Sequence, residues 1–455
     1  MELQIRHTDA TPDGQPFFEV VHNGKATLEP VTLTPPGEVP VGAYQTNLQQ
    51  DLRWYLEQYL EMPIDEYRTR AEAVQEALFK RGRDCFDALF GSGHGRDWYR
   101  DSWREGLDRL RLQVTTDDPA VLCWPWEALA SKDDGLLAQQ CSIERQLNNI
   151  GDVRQGPDTL PQEQINILYI IARPGGDRDV DFQTLARPLI DFVTAGGWPV
   201  QIDLLRPPTF DQLRNVLEAK PGFYHIVHFD GHGSFGAEPT LSGLSVGLHS
   251  GRDKFATATG SLLFEKDDFS YNDDPISADM LGELLRKYNI PVMVLNVCQS
   301  AMLDGQAEHP FGTVAASLLR AGIGSVVAMS YSLWVSGAKV FVPAFYKQLF
   351  NSRDLSVAVQ AERREMYRQQ KRDTFIGPVD FQDWLVPVLY RQGESQLPRL
   401  RPSARRESKL PNKAQHLGDY GFIGRTKLHN TWSGPCALSL LAFSSTAWPE
   451  KAKPP

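Results

Sequence analysis

The chain has 455 residues, a formal net charge of −10 and a hydrophobic fraction of 41%. That length allows about three domains at roughly 150 residues each, the apolar fraction supports sizeable cores, and the acidic balance argues against nucleic acid as a partner. The five cysteines (Cys85, Cys123, Cys141, Cys298 and Cys436) are odd in number and widely spaced. They form neither a disulfide framework nor a Cys-x-x-Cys metal site, and they suit a reducing, cytoplasmic setting. The first residues lack the basic and apolar regions of a signal peptide, and no run of about 20 apolar residues predicts a membrane span.

The chain divides into four regions. Residues 1–42 hold short alternating segments such as Phe17-Phe-Glu-Val-Val21, broken by Asp-Gly, Asn-Gly and Pro-Pro, which predicts hairpin strands. Residues 43–160 form an α+β half, with helical spacing over Leu48–Tyr59 and Ala71–Phe90 and a strand over Arg109–Val114. Residues 163–392 alternate strands (165–171, 200–205, 224–229, 291–297, 324–330) with helices (182–195, 209–219, 311–321), and further helices run to about 371. Ser277 is the expected N-cap of another helix, with Met280, Leu281, Leu284, Leu285 and Tyr288 on one face. Such alternation predicts a mostly parallel sheet with right-handed crossovers and helices on both faces. Residues 393–455 begin with seven Arg or Lys against two Glu over 391–413 and are expected to be a solvated linker and tail.

Two strand ends carry chemistry. His225-Ile-Val-His-Phe-Asp-Gly-His-Gly233 and Val294-Leu-Asn-Val-Cys-Gln-Ser300 are apolar runs that end at His232 and Cys298. Ligands in open α/β sheets gather outside the carboxyl ends of the strands. An imidazole and a thiol meeting there is the arrangement a cysteine nucleophile needs.

These motifs resemble the CHAT group of caspase-like proteins, which is similar to caspases and separases and carries a His–Cys dyad. The resemblance extends to Trp124-Pro-Trp-Glu-Ala-Leu129, to Leu136–Arg145 and to Asp383-Trp-Leu-Val-Pro-Val-Leu-Tyr390. It implies a sheet of order 2-1-3-4 and a cysteine endopeptidase with His232 as base and Cys298 as nucleophile. The Gly233 and Cys298 amides become candidate oxyanion donors, with no cofactor and no metal. A protein or peptide substrate and an activating sensor module or partner protein are expected, in a regulated signalling or defence setting. Asn-Val-Cys-Gln-Ser departs from the caspase Gln-Ala-Cys-x-Gly pattern, so preference for cleavage after aspartate is not implied. In metacaspases, which resemble this group, an Asp two residues before the cysteine helps the pocket accept Arg or Lys. Here that position is Asn296, and Arg173 sits just past the first strand, which makes both candidates for the specificity pocket. Gly421-Phe-Ile-Gly-Arg425 resembles the start of a STAND-type NTPase module, truncated here.

Rival readings stand beside this one. One is a catalytically silent CHAT scaffold acting by protein–protein interaction. Another is a nucleotide-binding α/β protein, because Gly231-His-Gly-Ser-Phe-Gly236 matches Gly-x-Gly-x-x-Gly, although the next residues, Ala-Glu-Pro-Thr-Leu-Ser-Gly, do not start a helix. His225 and His228 read as core or supporting residues, His94 as part of a turn, and Cys85, Cys123 and Cys141 as small buried residues. The paired aspartates Asp267, Asp268, Asp273 and Asp274 read as a solvated loop, with Ca²⁺ binding as the alternative.

Overall fold

Ile165–Ile171 reads Ile-Asn-Ile-Leu-Tyr-Ile-Ile and is buried at every position. A strand covered on both faces has this composition because neither side meets water. The computed structural model describes residues 1–8, 16–148, 160–174, 183–236, 259–266, 273–298, 310–393, 397–398 and 400. Asp267, Asp268 and nearly all of the 393–455 tail, the Gly421–Arg425 motif included, lie outside these residues.

The main strands are β1 (Glu2–Thr8), β2 (Phe17–His22), β3 (Arg111–Thr115), β4 (Ser142–Gln146), β5 (Ile165–Ile171), β6 (Val200–Leu204), β7 (Ile226–Gly236), β8 (Thr259–Glu265), β9 (Asp273–Ser277), β10 (Val292–Cys298), β11 (Ser325–Met329) and β12 (Pro387–Arg391). The main helices are α1 (Leu48–Glu57), α2 (Asp65–Phe90), α3 (Gly93–Glu105), α4 (Gln183–Gly196), α5 (Phe210–Ala219), α6 (Ala278–Lys287), α7 (Pro310–Arg320), α8 (Val335–Ser352) and α9 (Leu355–Arg368).

With the two-residue strands Lys25–Ala26 and Val31–Thr32, these strands build one 14-stranded sheet. Its path runs β6-β5-β7-β10-β11-β12-β4-β3-β1-β2. The first four strands on this path, taken in chain order, have the order 2-1-3-4, and β6, β5, β7, β10 and β11 are mutually parallel. Antiparallel β12 then bridges to parallel β4, so the N-terminal strands extend the same sheet. On one face, Ile165, Ile167 and Tyr169 join Phe341, Phe345 and Tyr346 of α8. On the other, Leu168 and Ile170 join Leu213 of α5, Leu281 of α6 and Leu318 of α7. Both faces are therefore core, as the parallel strands require.

The N-caps follow local chemistry. Thr209 accepts from Gln212 N at 3.2 Å and Ser277 from Met280 N at 3.3 Å, each satisfying a free helix-end amide. Four expectations need correction. Asp273 and Asp274, read as part of a solvated loop, begin β9 and pair with Glu265 and Phe264 of β8, because the chain returns antiparallel along that strand. Met280 is 51% exposed, and only Leu281, Leu284, Leu285 and Tyr288 pack inward, because the apolar stripe of α6 is narrower than the sequence suggests. His94 lies in the first turn of α3, where its ring stacks on Trp98 at 5.5 Å and favours the helix over a free turn. Cys123 is only half buried, while Cys85 and Cys141 are core residues.

Glu362 is fully buried, and neither carboxyl oxygen has a hydrogen-bond partner among the described residues. Burial pushes its carboxyl well above the usual range, Arg363 pulls it down, and Asp383 and Glu127 add to the rise. A carboxyl that binds its proton more tightly when folded makes stability fall as pH climbs above the unfolded value of about 4.3. The loss continues until the pH passes the raised folded pKa. Glu362→Gln removes this penalty without changing shape. Its Tm should exceed that of the wild type at about pH 8, with the difference shrinking toward about pH 4, as scanning calorimetry across pH will read. A difference that does not change with pH would contradict the assignment.

Candidate active site

Alternation along β7 sends successive side chains to opposite faces. His228 and Asp230 go to the face shared with Tyr169 and Tyr346, and Val227 and Phe229 go to the other. Gly231 belongs where it is: a Cβ there would come within 2.8 Å of the Phe229 ring and 3.2 Å of the Ala172 carbonyl oxygen. The strand does not stop at the motif, as the sequence suggests, but continues to Gly236. The reason is a change of partner along one edge. Where β5 ends at Ile171, β8 takes its place antiparallel to β7, pairing His232 with Leu263 and Gly233 with Leu262. This also removes the strand-to-helix turn that a dinucleotide site needs.

On its other edge β7 runs parallel to β10 in unbroken register, from Ile226 opposite Val292 to His232 opposite Cys298. The two candidate residues are thus backbone neighbours at the carboxyl end of adjacent strands. The His232 side chain is half buried.

One step below, Asp230 lies opposite Asn296. The Asn296 amide donates to Asp230 Oδ1 at 3.2 Å, and Arg173 Nη2 donates to Asp230 Oδ2 at 2.8 Å. Arg173 Nη1 also donates to the backbone oxygens of Asp230 at 2.8 Å and Ala172 at 2.9 Å. Burial raises the Asp230 pKa, while Arg173, the Asn296 hydrogen bond and His232 pull it back down. Arg173 and Asn296, expected in a specificity pocket, are therefore brought together around a third residue. Sequence reasoning missed Asp230, although its place two residues before His232 was a usable signal.

Below this layer His228 is fully buried and shares a 2.7 Å hydrogen bond between Nδ1 and the Tyr346 hydroxyl. Its ring stacks on Tyr169 at 4.3 Å, and burial drives its pKa down to about 3, so the imidazole is neutral. His225 is also internal, with Nδ1 accepting from the Asn166 amide at 3.0 Å and Nε2 lying 2.9 Å from the Pro161 carbonyl oxygen. Neither faces the register pair.

The N-terminal half reaches this end of the sheet. Glu57 of α1 accepts from the Ser332 amide at 3.1 Å, and the Trp334 indole donates to the Leu56 carbonyl at 2.8 Å. These contacts hold the segment just past β11, the strand beside β10. Among the described residues no cluster of three or more His, Cys, Asp or Glu could hold a metal ion, and no helix is long and apolar enough to cross a membrane.

A mostly parallel sheet of order 2-1-3-4, covered by helices on both faces, defines a caspase-like α/β protein. The CHAT domain model matches residues 98–434, and the chain belongs to that family. No curated protein matches the sequence. Among solved structures, the chain is similar to the Saccharomyces cerevisiae separase–securin complex at 11% identity and a TM-score of 0.44, with 86% of this chain and 30% of that one covered. It is also similar to the Arg-specific cysteine proteinase gingipain R at 13% identity and a TM-score of 0.35, covering 77% of this chain and 74% of that one. A complex of Porphyromonas gingivalis RgpB pro- and mature domains aligns at 11% identity and a TM-score of 0.38, over 74% of this chain and 78% of that one.

Removing one member of a buried ion pair leaves the other charge stranded, at a cost of about 3–5 kcal/mol. Asp230→Ala should therefore lower the unfolding free energy by about 3 kcal/mol. The double variant Asp230→Ala with Arg173→Met should recover part of that loss in urea denaturation. If the double variant loses the sum of the two single losses, the pair is not coupled.

Proposed function

We propose that this chain is a cysteine endopeptidase of the caspase-like CHAT group, with His232 as general base and Cys298 as nucleophile. The observation that carries this reading is the register of His232 against Cys298 at the carboxyl ends of adjacent parallel strands. In that arrangement the imidazole takes the thiol proton and the thiolate attacks a peptide carbonyl. The Gly233 and Cys298 amides are the proposed donors to the resulting oxyanion. The imidazolium then returns its proton to the leaving amine, and water, deprotonated by His232, hydrolyses the thioester. The proposed setting is cytoplasmic signalling or defence, with protein substrates and a sensor module or partner protein as activator.

Specificity depends on the layer below. Asn296 is neutral, and the nearby carboxylate of Asp230 is already engaged by Arg173. We therefore expect no strict requirement for Arg or Lys at the cleaved position. A peptide library cleaved only after basic residues would overturn this and would point to acidic residues elsewhere.

Thiol chemistry separates the cysteines. Burial raises the Cys85 thiol and pushes Cys141 up to about 12, so neither supplies thiolate at neutral pH. A thiol-directed activity probe should label Cys298 and spare Cys85 and Cys141. Cys298→Ala and His232→Ala should each abolish peptide or self-cleavage while keeping the wild-type Tm. His228→Ala should lower stability instead, by about 2–4 kcal/mol as for other large-to-small core changes. Cys123→Ala should retain most activity. Full activity in Cys298→Ala would end the peptidase reading. Inactivity of the wild type under every activating condition would leave a CHAT scaffold that works by protein–protein interaction.

A further inference from the structure

A cavity of about 300 Å³ lies between α2 and residues 32–40, lined by Thr32, Thr34, Glu38, Lys80, Arg81 and Cys85 among others. Arg81 is 4% exposed. Its Nε donates to the Thr34 carbonyl at 2.9 Å, and its guanidinium lies over the Trp124 ring at 4.8 Å. No carboxylate pairs with it among the described residues, and its Nη2 is buried with no hydrogen-bond partner. The neighbouring Lys80 is taken by Asp84 at 3.0 Å, in an exposed pair at the rim. Burial pulls the Arg81 pKa down, yet an arginine keeps its charge in proteins.

Buried charges are paired as a rule, and a guanidinium fork fits a carboxylate through two parallel hydrogen bonds. Here the guanidinium is fixed on Trp124 and tethered at Nε, and Arg81 is among the residues that line a cavity at the small end of ligand sites, with Lys80, Glu38 and Asp84 also in its wall. We propose that this pocket binds a carboxylate, with Arg81 as the anchoring residue. A short free carboxylic acid and the acidic side chain of a peptide share the required chemistry. The assignment stands apart from the peptidase reading.

The experiment compares sodium propionate, its neutral counterpart propionamide and N-acetyl-aspartate N-methylamide, titrated into the full chain at constant ionic strength. Calorimetry and Tm shifts are read for the wild type, Arg81→Met and Arg81→Lys. In the wild type, at least one carboxylate should bind saturably and raise the Tm, and propionamide should not. Binding by propionate alone identifies a small-acid site, and tighter binding of the aspartate derivative identifies a peptide site. Arg81→Met should keep or raise the ligand-free Tm, since it removes an unpaired buried charge, and weaken binding by at least about tenfold. If Arg81→Met does not fold, Arg81→Lys, which keeps the charge but loses the fork, should still bind more weakly than the wild type. Equal affinity in both variants, or no saturable response to either carboxylate up to about 50 mM, would overturn the proposal.

Discussion

Glu127 holds the two halves of the sheet together. Its carboxylate accepts from Arg145 of β4 at 2.6 and 2.8 Å and from Arg363 of α9 at 3.3 Å. Arg145 also donates to the carbonyls of Leu122 and Trp124, and Arg363 donates to that of Pro387 in β12. Burial works to raise the Glu127 pKa, but the two guanidiniums outweigh it and hold the carboxyl below its ordinary range. Taking these charges out of water is costly, and only a well-satisfied network offsets that cost. The cluster ties the Trp-Pro-Trp-Glu segment, β4, β12 and α9 to one point, and it sits where the N-terminal strands join the parallel sheet. A second buried pair, Arg372 with Asp383 at 2.6 and 2.8 Å, secures the segment leading into β12.

The candidate site depends on this continuity. Because the N-terminal strands share the sheet, α1 can reach round to hold Ser332 and Trp334 just past β11. Within the parallel half, each register step from the core toward the strand ends adds a layer. The aromatic trio of Tyr169, His228 and Tyr346 comes first, the triad of Asp230, Arg173 and Asn296 next, and the level of His232 and Cys298 last. The middle layer is polar and internally satisfied at the carboxylate, which favours a fixed arrangement beneath the candidate site. Arg173 and Asn296 both hydrogen-bond Asp230, one register step below His232 and Cys298.

Much of the fold was legible in local sequence. The apolar runs at 165–171 and 292–298 form strands because β-branched residues pack well on a sheet buried on both faces, whereas 200–204 is a half-buried edge strand. Thr209 and Ser277 were legible as caps because a hydroxyl beside free amides acts within three residues. His232 and Cys298 stood out for the same reason, as reactive groups closing apolar runs, and 2-1-3-4 came from the family resemblance. Other features were not legible. Glu127 meets Arg363, 236 positions away, and Arg111 meets Asp354, 243 positions away. Side-chain alternation and helical spacing are properties of neighbours in the chain, so the sequence by itself determined the elements, their order and the candidate reactive residues. Register, the extension of β7 along β8, and the capture of Arg173 by Asp230 depend on which strand edges meet after the chain crosses over. Those pairings exist only between segments brought together by packing, and only the tertiary structure decided them.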